Sequence, residues 1–574
     1  MCWKLEPQSA RCVAKRLLSV LASVFPIAGL LAGGWLLAAG TEASEQPRLP
    51  TFRDVAPRSK ITYISNNDLT GRKYFPQPMC GGIAIFDYDN DGLLDIYFTN
   101  GAKFPEMKKV DRSYWNLLLR NKGNFVFEDV TEKAGLTGVG YGFTFGVAAG
   151  DYDNDGDTDL FLANAGKNAL FRNNGDGTFT DVTDSSGAGA KPEKLLSVDA
   201  AWFDYDNDGL LDLVVSNYTF WSPYSDVQCT MDTNTELYCH PSTYESVAHQ
   251  LFRNLGNGKF KDVTKESGFA EALGKGMGIA IADYDGNGTQ DVFIANDTEP
   301  NFLYLNHGDG TFEEVGLLYG VAYNDEGVVV SSMGCDAKDF DNDGWVDIFY
   351  NDLPHQIFAL FRNEKGEYFE YVSPTHNISV ISRKFGGWSN GFIDFDNDGW
   401  KDIFSANGDV DYVFEGSAQH DTMFRNLEGR KFEDVSEHLG KDFLRVGYQR
   451  GSAFADFNDD GWMDIVVTSL NDKPRILINS GVPGRNWLLL DLKGRKSNRD
   501  AIGAKVKVTL GSGRVLYNHV AGSVGFMSTS DTRVHFGLGE ESKIQSVEIR
   551  WPSGTVQTLR KVKPNRVIRV TEPR

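Results

Sequence analysis

Histidine is scarce in this chain, with nine residues in 574. None falls into an HExxH pair or another metal-ligand spacing, so a zinc-hydrolase centre lacks its ligands. Basic residues are outnumbered, 57 Lys and Arg against 79 Asp and Glu, for a formal net charge of -22. An excess of that sign excludes a phosphate-backbone binder, and nucleic acid is not an expected partner. No phosphate loop or dinucleotide fingerprint is present. GWSNG at 387–391 spells G-x-S-x-G, but a nucleophile elbow needs a strand-to-helix turn in an α/β sheet. Here the pentapeptide precedes an acidic loop, where sister units carry TFGVAAG or SMGCDAK, and it reads as a strand. The chain offers no catalytic residues and no organic-cofactor site.

Cysteines are few as well, six in all. Cys2 and Cys12 fall in the N-terminal segment. Cys229 and Cys239 lie close together in YSDVQCTMDTNTELYCHPSTY and could pin it as a disulfide. Cys80 and Cys335 have no obvious partner. His240 and His249 belong to the same insertion and are expected on the surface.

One long apolar run exists. Lys4, Arg11, Lys15 and Arg16 precede LLSVLASVFPIAGLLAGGWLLAAG at 17–40, the pattern of a signal peptide. The run is also long enough to stay as a membrane anchor, although small residues near Gly40 and Ala43 offer cleavage points. Residues 1–43 are therefore a signal peptide or signal anchor. Either reading exports the remainder to the periplasm, the cell surface or the medium, with membrane contact only through an uncleaved anchor. No cysteine ends the run, which argues against a lipoprotein.

What the chain has in quantity is one acidic loop. DYDNDGDTD (151–159) has sister copies at 87–95, 204–212, 283–291, 339–347, 394–402 and 456–464, stepping by 64, 53, 79, 56, 55 and 62 residues. Self-similarity on this period marks a solenoid, a propeller or an array. The text between loops repeats too, as in LFRNNGDGTFTDVTDSSG (170–187) and LFRNLGNGKFKDVTKESG (251–268). Phe-x-Asp-Val also occurs once before the first loop, at 52–55. Residues 51–480 are thus seven units, read as Phe-x-Asp-Val, acidic loop, then Leu-Phe-Arg-Asn. Alternating strands such as IAIF and LLDIYF flank the loops, Asn-Gly and Gly-Asp-Gly read as hairpin turns, and no unit contains an amphipathic helix. Four short strands per unit and seven units fit an all-β, seven-bladed β-propeller better than a solenoid.

The loop chemistry points to Ca²⁺, which takes six to eight oxygen ligands at about 2.3–2.6 Å. Residues at positions 1, 3, 5 and 9 converge, and a glycine at position 6 permits the bend. The expected ligands are Asp87, Asp89, Asp91 and Asp95; Asp151, Asp153, Asp155 and Asp159; and Asp204, Asp206, Asp208 and Asp212. They continue as Asp283, Asp285, Asn287 and Asp291; Asp339, Asp341, Asp343 and Asp347; Asp394, Asp396, Asp398 and Asp402; and Asp456, Asn458, Asp460 and Asp464. No EF-hand Glu stands at position 12 and no helices flank the loops, while Mg²⁺ rarely receives a full protein cage. The seven loops hold 26 aspartates at these positions, which repel one another unless a cation joins them. Up to seven Ca²⁺, mainly structural, are expected. The loops at 283–291 and 456–464, each with an Asn in the set, are expected to be the weakest.

The units resemble FG-GAP (VCBS) repeats of integrin-type propellers, whose metal sites use the same loop positions. Residues 486–572 carry NRDAIGA, HFGLG and WPSG, a series that resembles the ASPIC/UnbV domain. Propeller plus that domain is similar to the cartilage acidic protein family. No EGF-like cysteine module follows, so the resemblance is to a bacterial-type member. Read from residues alone, 486–572 is a small β domain with strands AKVKVTL, VEIRW and RVIRV, and with Gly537, Gly539 and Gly554 at turns. Arg499, Arg533 and His535 are expected in structural salt bridges or caps rather than in a binding patch.

The leading expectation is a calcium-binding propeller that binds or adheres to an extracellular protein or glycan, and not an enzyme. The 79-residue third step, with its aromatics, is the candidate contact surface. The alternative is a calcium-dependent polysaccharide lyase or hydrolase with its site in the propeller channel or in that insertion.

Overall fold

The computed structural model describes residues 48–231, 235–411 and 416–574. The signal segment lies outside the described residues. No helix among those described is long and apolar enough to cross a membrane, and the few α-helices are single turns of four residues.

Seven four-stranded antiparallel units follow one another along residues 52–479, the second and third joined into one eight-stranded sheet through Leu196 and Ala165. In each, the acidic loop joins the first strand to the second, as between Leu195–Phe203 and Asp212–Phe220. The third strand carries the Leu-Phe-Arg-Asn text, as in Gln250–Asn254, and the fourth the Phe-x-Asp text, as in Phe260–Asp262. The structural unit therefore begins one strand later than the sequence unit. Phe52–Asp54 is not the start of the first sheet: it pairs with Arg475–Asn479 and completes the seventh. Joining the two ends of a repeat array in one sheet hydrogen-bonds its otherwise open edge.

The first strands are buried on both faces because each packs against its neighbours in a closed ring, with Gln449–Ala455 of the last sheet against Ile83–Phe86 of the first. GWSNG forms one of these strands, Gly387–Ile393. Ser389 is wholly buried and its hydroxyl is engaged by Ser452 Oγ at 2.8 Å and by the Phe526 N–H at 3.0 Å. It is a packing residue.

Residues 486–571 form two further sheets. One sets Asn486–Lys493 between Val534–Gly539 and Val567–Thr571; the other runs Val515–His519, Lys505–Leu510, Ile544–Arg550, Val556–Leu559. Their shared core of Leu488, Leu490, Val508, Leu538, Val547 and Trp551 continues into Trp202 and Leu211 of the third propeller sheet. Residues 48–574 are one compact unit.

The connection between Val515–His519 and Val534–Gly539 does not stay with its domain. It forms a small hairpin, Ser523–Val524 with Ser528–Thr529, that touches the first strand of all seven propeller sheets. Thr529 pairs in parallel with Ala84, Gly525 bridges Cys335, and the Thr529 hydroxyl donates to the Val147 carbonyl at 3.0 Å. At the tip, Phe526 and Met527 are fully buried with Phe143, Phe145, Met277 and Met333, and Phe526 lies 5.4 Å from the Trp388 ring. Tyr74, Phe75 and Met79, from the segment before the first sheet, close the same cluster. The propeller channel is filled with side chains.

The third-sheet insertion crosses that segment. Its Cys229–Cys239 disulfide is formed. Asp226 accepts from Trp221 Nε1 at 2.7 Å, from the Tyr244 hydroxyl at 3.0 Å and from the Phe75 N–H at 3.3 Å. Trp221, Tyr238 and Tyr244 thus serve packing, while Phe220 (53%) and Tyr224 (82%) remain exposed. His240 is exposed as expected, but His249 is not: it is fully buried, with Nδ1 accepting the Asn217 N–H at 3.2 Å. Burial holds its pKa down at about 4. The insertion returns into the third strand one residue after His249, which draws that side chain inside.

Truncating the plug should be costly. Phe526→Ala removes a buried aromatic from the ring centre and is expected to destabilise by about 3–5 kcal/mol. Thermal denaturation should show a clear fall in Tm, while Tyr224→Ala on the exposed insertion leaves it in place. An unchanged Tm for Phe526→Ala would mean that the hairpin does not hold the ring.

Candidate metal centres

The loops are built from local rules. In the third, Asp204 at position 1 accepts the N–H groups of Asp208 (3.1 Å) and Gly209 (3.0 Å), and Asp208 at position 5 accepts that of Leu210 (3.0 Å). Asx turns of this kind set the bend. Asp212 at position 9 opens the second strand. It is fully buried, and its two oxygens accept the N–H groups of Asn254 (2.8 Å) and Tyr205 (3.2 Å). The same two bonds recur at Asp95, Asp159, Asp291, Asp347, Asp402 and Asp464.

This geometry brings positions 1, 3 and 9 together. In five loops the sets Asp87/Asp89/Asp95, Asp151/Asp153/Asp159, Asp204/Asp206/Asp212, Asp283/Asp285/Asp291 and Asp339/Asp341/Asp347 each offer three carboxylate oxygens within 4.8 Å of one another. Position 5 stands outside these groups and caps the turn. Burial, reinforced by the neighbouring carboxylates, pushes Asp95 up to about 8 and Asp204, Asp339 and Asp456 up to about 7. For Asp151 the largest cause is again burial, followed by the Asp500 charge, and its pKa rises to about 7. Asp89 Oδ1 and Asp283 Oδ1 are buried with no hydrogen-bond partner. Clustered, desolvated carboxylates with orphaned oxygens are a donor set that suits a hard divalent cation.

In the two loops with an Asn, the amide donates within the loop. Asn287 Nδ2 donates to Asp285 (3.1 Å) and to the Asn306 carbonyl (2.9 Å), and Lys505 from the C-terminal domain reaches Asp283 at 2.6 Å. In the last loop Asn458 donates to Asp460 at 2.8 Å. Neutral amide donors, and in the fourth loop the Lys505 charge, thus reach the remaining carboxylates.

Two features of the loops were not legible in the motif. The Arg of the Arg-Asn pair caps positions 3 and 5: Arg120 reaches Asp89 (2.7 Å) and Asp91 (2.9 Å), and Arg425 reaches Asp396 (2.8 Å) and Asp398 (3.1 Å). The Asn is a staple between sheets. Asn254 Nδ2 donates to the Leu211 carbonyl of its own sheet (2.9 Å) and to Tyr152 in the preceding loop (2.8 Å). Asn173, Asn306, Asn363, Asn426 and Asn479 repeat this pair of bonds. Read from sequence, Arg-Asn was only the approach to a hairpin turn. Its recurrence in several units was the available signal.

The C-terminal domain docks on this loop-bearing face. Residues 484–574 hold 17 Lys and Arg against 7 Asp and Glu, leaving 40 against 72 for the rest of the chain. A basic domain therefore lies on an acidic surface. Arg499 approaches Asp151 at 3.7 Å, Arg514 donates to the Asp398 carbonyl at 3.0 Å, and Arg533 bonds Asp459 (2.5 Å), Asp531 (2.6 Å) and the Asp456 carbonyl (2.7 Å). His535 is buried against the Gly461 carbonyl at 3.1 Å. Arg499, Arg533 and His535 are contact residues between the two parts. Loop glycines admit the approach: at Gly461 (φ 84°) a Cβ would stand 1.9 Å from Trp487, and at Gly209 (φ 89°) 2.5 Å from the Lys496 carbonyl. Gly539 and Gly554 take the left-handed turn conformations expected of them. Gly537 does not: it sits within a strand, and its missing side chain makes room for Asp394 Oδ2 at 2.1 Å from the Cβ position.

The chain can be compared with known proteins on this basis. The FG-GAP-like repeat model matches residues 87–162, 151–215, 232–294, 283–333 and 339–405, more than half of the chain, and the ASPIC and UnbV model matches 494–574. Cartilage acidic protein 1 of Homo sapiens is 25% identical over 531 residues, covering 87% of this chain and 73% of that protein. Its Xenopus tropicalis counterpart is 26% identical over 518 residues, covering 84% and 72%. Among solved structures, a lectin from Burkholderia pseudomallei aligns with a TM-score of 0.43 at 10% identity, over 70% of this chain and 96% of the lectin. An exotype rhamnogalacturonan lyase aligns with 0.35 at 11%, over 69% and 71%. Scores this low carry no functional argument.

The docked histidine gives a pH prediction. Burial pushes His535 down to about 4, below its ordinary value near 6.5. Its contribution to stability is therefore complete above pH 6.5 and lost as pH falls from there toward 4. His535→Gln should lose less Tm between pH 7 and pH 5 than the parent chain. Equal losses in the two proteins would refute this.

Proposed function

The chain belongs to the FG-GAP-like repeat family and carries an ASPIC and UnbV domain at its C-terminal end, and from that premise we propose that it is an exported, calcium-held β-propeller acting as a binding module for an extracellular protein or glycan. The carrying observation is the filled channel. A propeller enzyme places its reacting groups in the central well, and here the well holds Phe526, Met527, Trp388 and the aromatics of residues 74–75. This packing speaks against the arm of the alternative that put a lyase or hydrolase site in the channel. Recognition is left to the outer surfaces, where the third-sheet insertion presents Phe220, Tyr224 and Met231 to solvent.

Calcium would be held by the carboxylates at positions 1, 3 and 9 and would neutralise charge that burial makes costly. Its role there is cohesion: each loop joins two strands of one sheet, and the first six accept the Asn staple of the next sheet. At ten times its Kd, each site would stabilise the fold by about 1.4 kcal/mol.

Two measurements test the proposal. Metal analysis after gel filtration should find several Ca²⁺ per chain, and EDTA should lower Tm; a metal-free chain with unchanged Tm would overturn the calcium reading. A glycan and peptide array, read for binding and for product release, should give binding without turnover. Turnover of any arrayed substrate would replace the binding module with an enzyme.

A further inference from the structure

The docked face accounts for only part of the positive charge on the C-terminal domain. Arg499, Lys505, Arg514 and Arg533 meet the acidic loops. A second set lies around the last strand, Val567–Thr571. The turn leading into that strand carries Arg560, Lys561, Lys563 and Arg566, all exposed. At its far end the backbone N–H groups of Arg495, Lys496 and Ser497 wrap the buried Glu572 carboxylate at 2.8–3.0 Å, which leaves the Arg495 and Lys496 side chains outward and exposed. None of these six cations has an ion-pair partner among the described residues. Glu572, the carboxylate nearest to Arg495 and Lys496, is already taken up by those N–H groups and by the hydroxyls of Ser497 and Ser553.

This edge opens onto a cleft of about 580 Å³ between the C-terminal domain and the first acidic loop. Of its basic lining, Arg499 and Arg569 are paired with Asp151 and Asp491, and Asp87, Asp459, Asp500 and Asp531 also line it, so the cleft is acidic and bounds the basic edge. It lies beside a loop that the domain leaves uncovered: a Cβ at Gly92 would meet nothing within 4 Å, unlike its counterparts Gly209 and Gly461.

We propose that this edge binds a linear acidic polysaccharide, its carboxylate or sulfate groups spaced along the unpaired cations. Unpaired Arg and Lys recognise repeated anions through charge-assisted hydrogen bonds. The surroundings select among polyanions. Val556 is the one large apolar side chain exposed on the domain among the described residues, so nothing is present to insert into a bilayer or to stack bases. A flexible polymer can also follow the basic edge while keeping clear of the acidic propeller. The inference rests on the chain being a binding module, but not on calcium or on the third-sheet insertion.

The test uses the full exported chain with polygalacturonate, dextran sulfate, neutral dextran, duplex DNA and anionic lipid vesicles as probes. Polygalacturonate and dextran sulfate should bind, neutral dextran should not, and raising salt from 50 to 500 mM should weaken binding at least tenfold. The variant Arg560→Glu/Lys561→Glu/Lys563→Glu, on an exposed turn, should lose at least tenfold in affinity with Tm unchanged. If it proves unstable, Arg495→Gln/Lys496→Gln, which leaves the backbone bonds to Glu572 in place, should show at least a threefold loss. No binding to either acidic polymer, equal binding by the charge variants, or tighter binding to DNA or vesicles would overturn the proposal. Array ligands that still bind in those cases would leave the binding-module reading intact, so the two failures can be told apart.

Discussion

Seven first strands arranged in a ring leave a hole that their own side chains do not fill, and the rest of this structure answers that constraint. A void of that size would cost dispersion contacts all round its lining. The chain fills it with the hairpin at 523–529, borrowed from the C-terminal domain, and closes the cluster with Tyr74, Phe75 and Met79 from before the first sheet. Because the hairpin touches every first strand, the propeller and the C-terminal domain share one core. The domain boundary near residue 485 is real in sequence and absent in packing.

Electrostatics follow from the same arrangement. A domain whose hairpin enters the ring must sit on one face of it, and here that face carries the acidic loops. The basic excess of residues 484–574 then lies over the acidic loops. Individual contacts are modest, since exposed pairs contribute little, but their number and shared sign favour a single docked orientation. The position-6 glycines serve this fit as well as the bend, because Trp487 and Lys496 occupy the space that a side chain would need at Gly461 and Gly209.

The repeat was the most legible part of the sequence. Period, strand text and loop chemistry pointed to seven four-stranded units, and of the expected ligand positions 1, 3, 5 and 9 the fold groups 1, 3 and 9 while position 5 caps the turn. The phase of the unit was not legible, because a repeat has no intrinsic start. Only the pairing of Phe52–Asp54 with Arg475–Asn479 shows where the ring closes. The hairpin insertion was illegible for a related reason. GSVGFMSTSD reads as an ordinary apolar connection, and nothing local tells that its hydrophobic tip is satisfied by seven strands distant in sequence. His249 and Gly537 show the same limit at single residues, since each was judged by its neighbours along the chain and decided by neighbours across it.

The distribution of mobility-tolerant surface follows from these observations. A channel lined by buried aromatics and crossed by backbone hydrogen bonds cannot admit a polymer without dismantling the ring. The docked domain covers much of the loop face, as at Gly209 and Gly461, but not Gly92 or Gly288. On the proposed reading, recognition uses the margins: the third-sheet insertion at one mouth and the basic edge at the other face. These margins differ in chemistry, aromatic and disulfide-pinned on one side and cationic on the other. On the proposed reading, two unlike surfaces on one core would suit the joining of two partners.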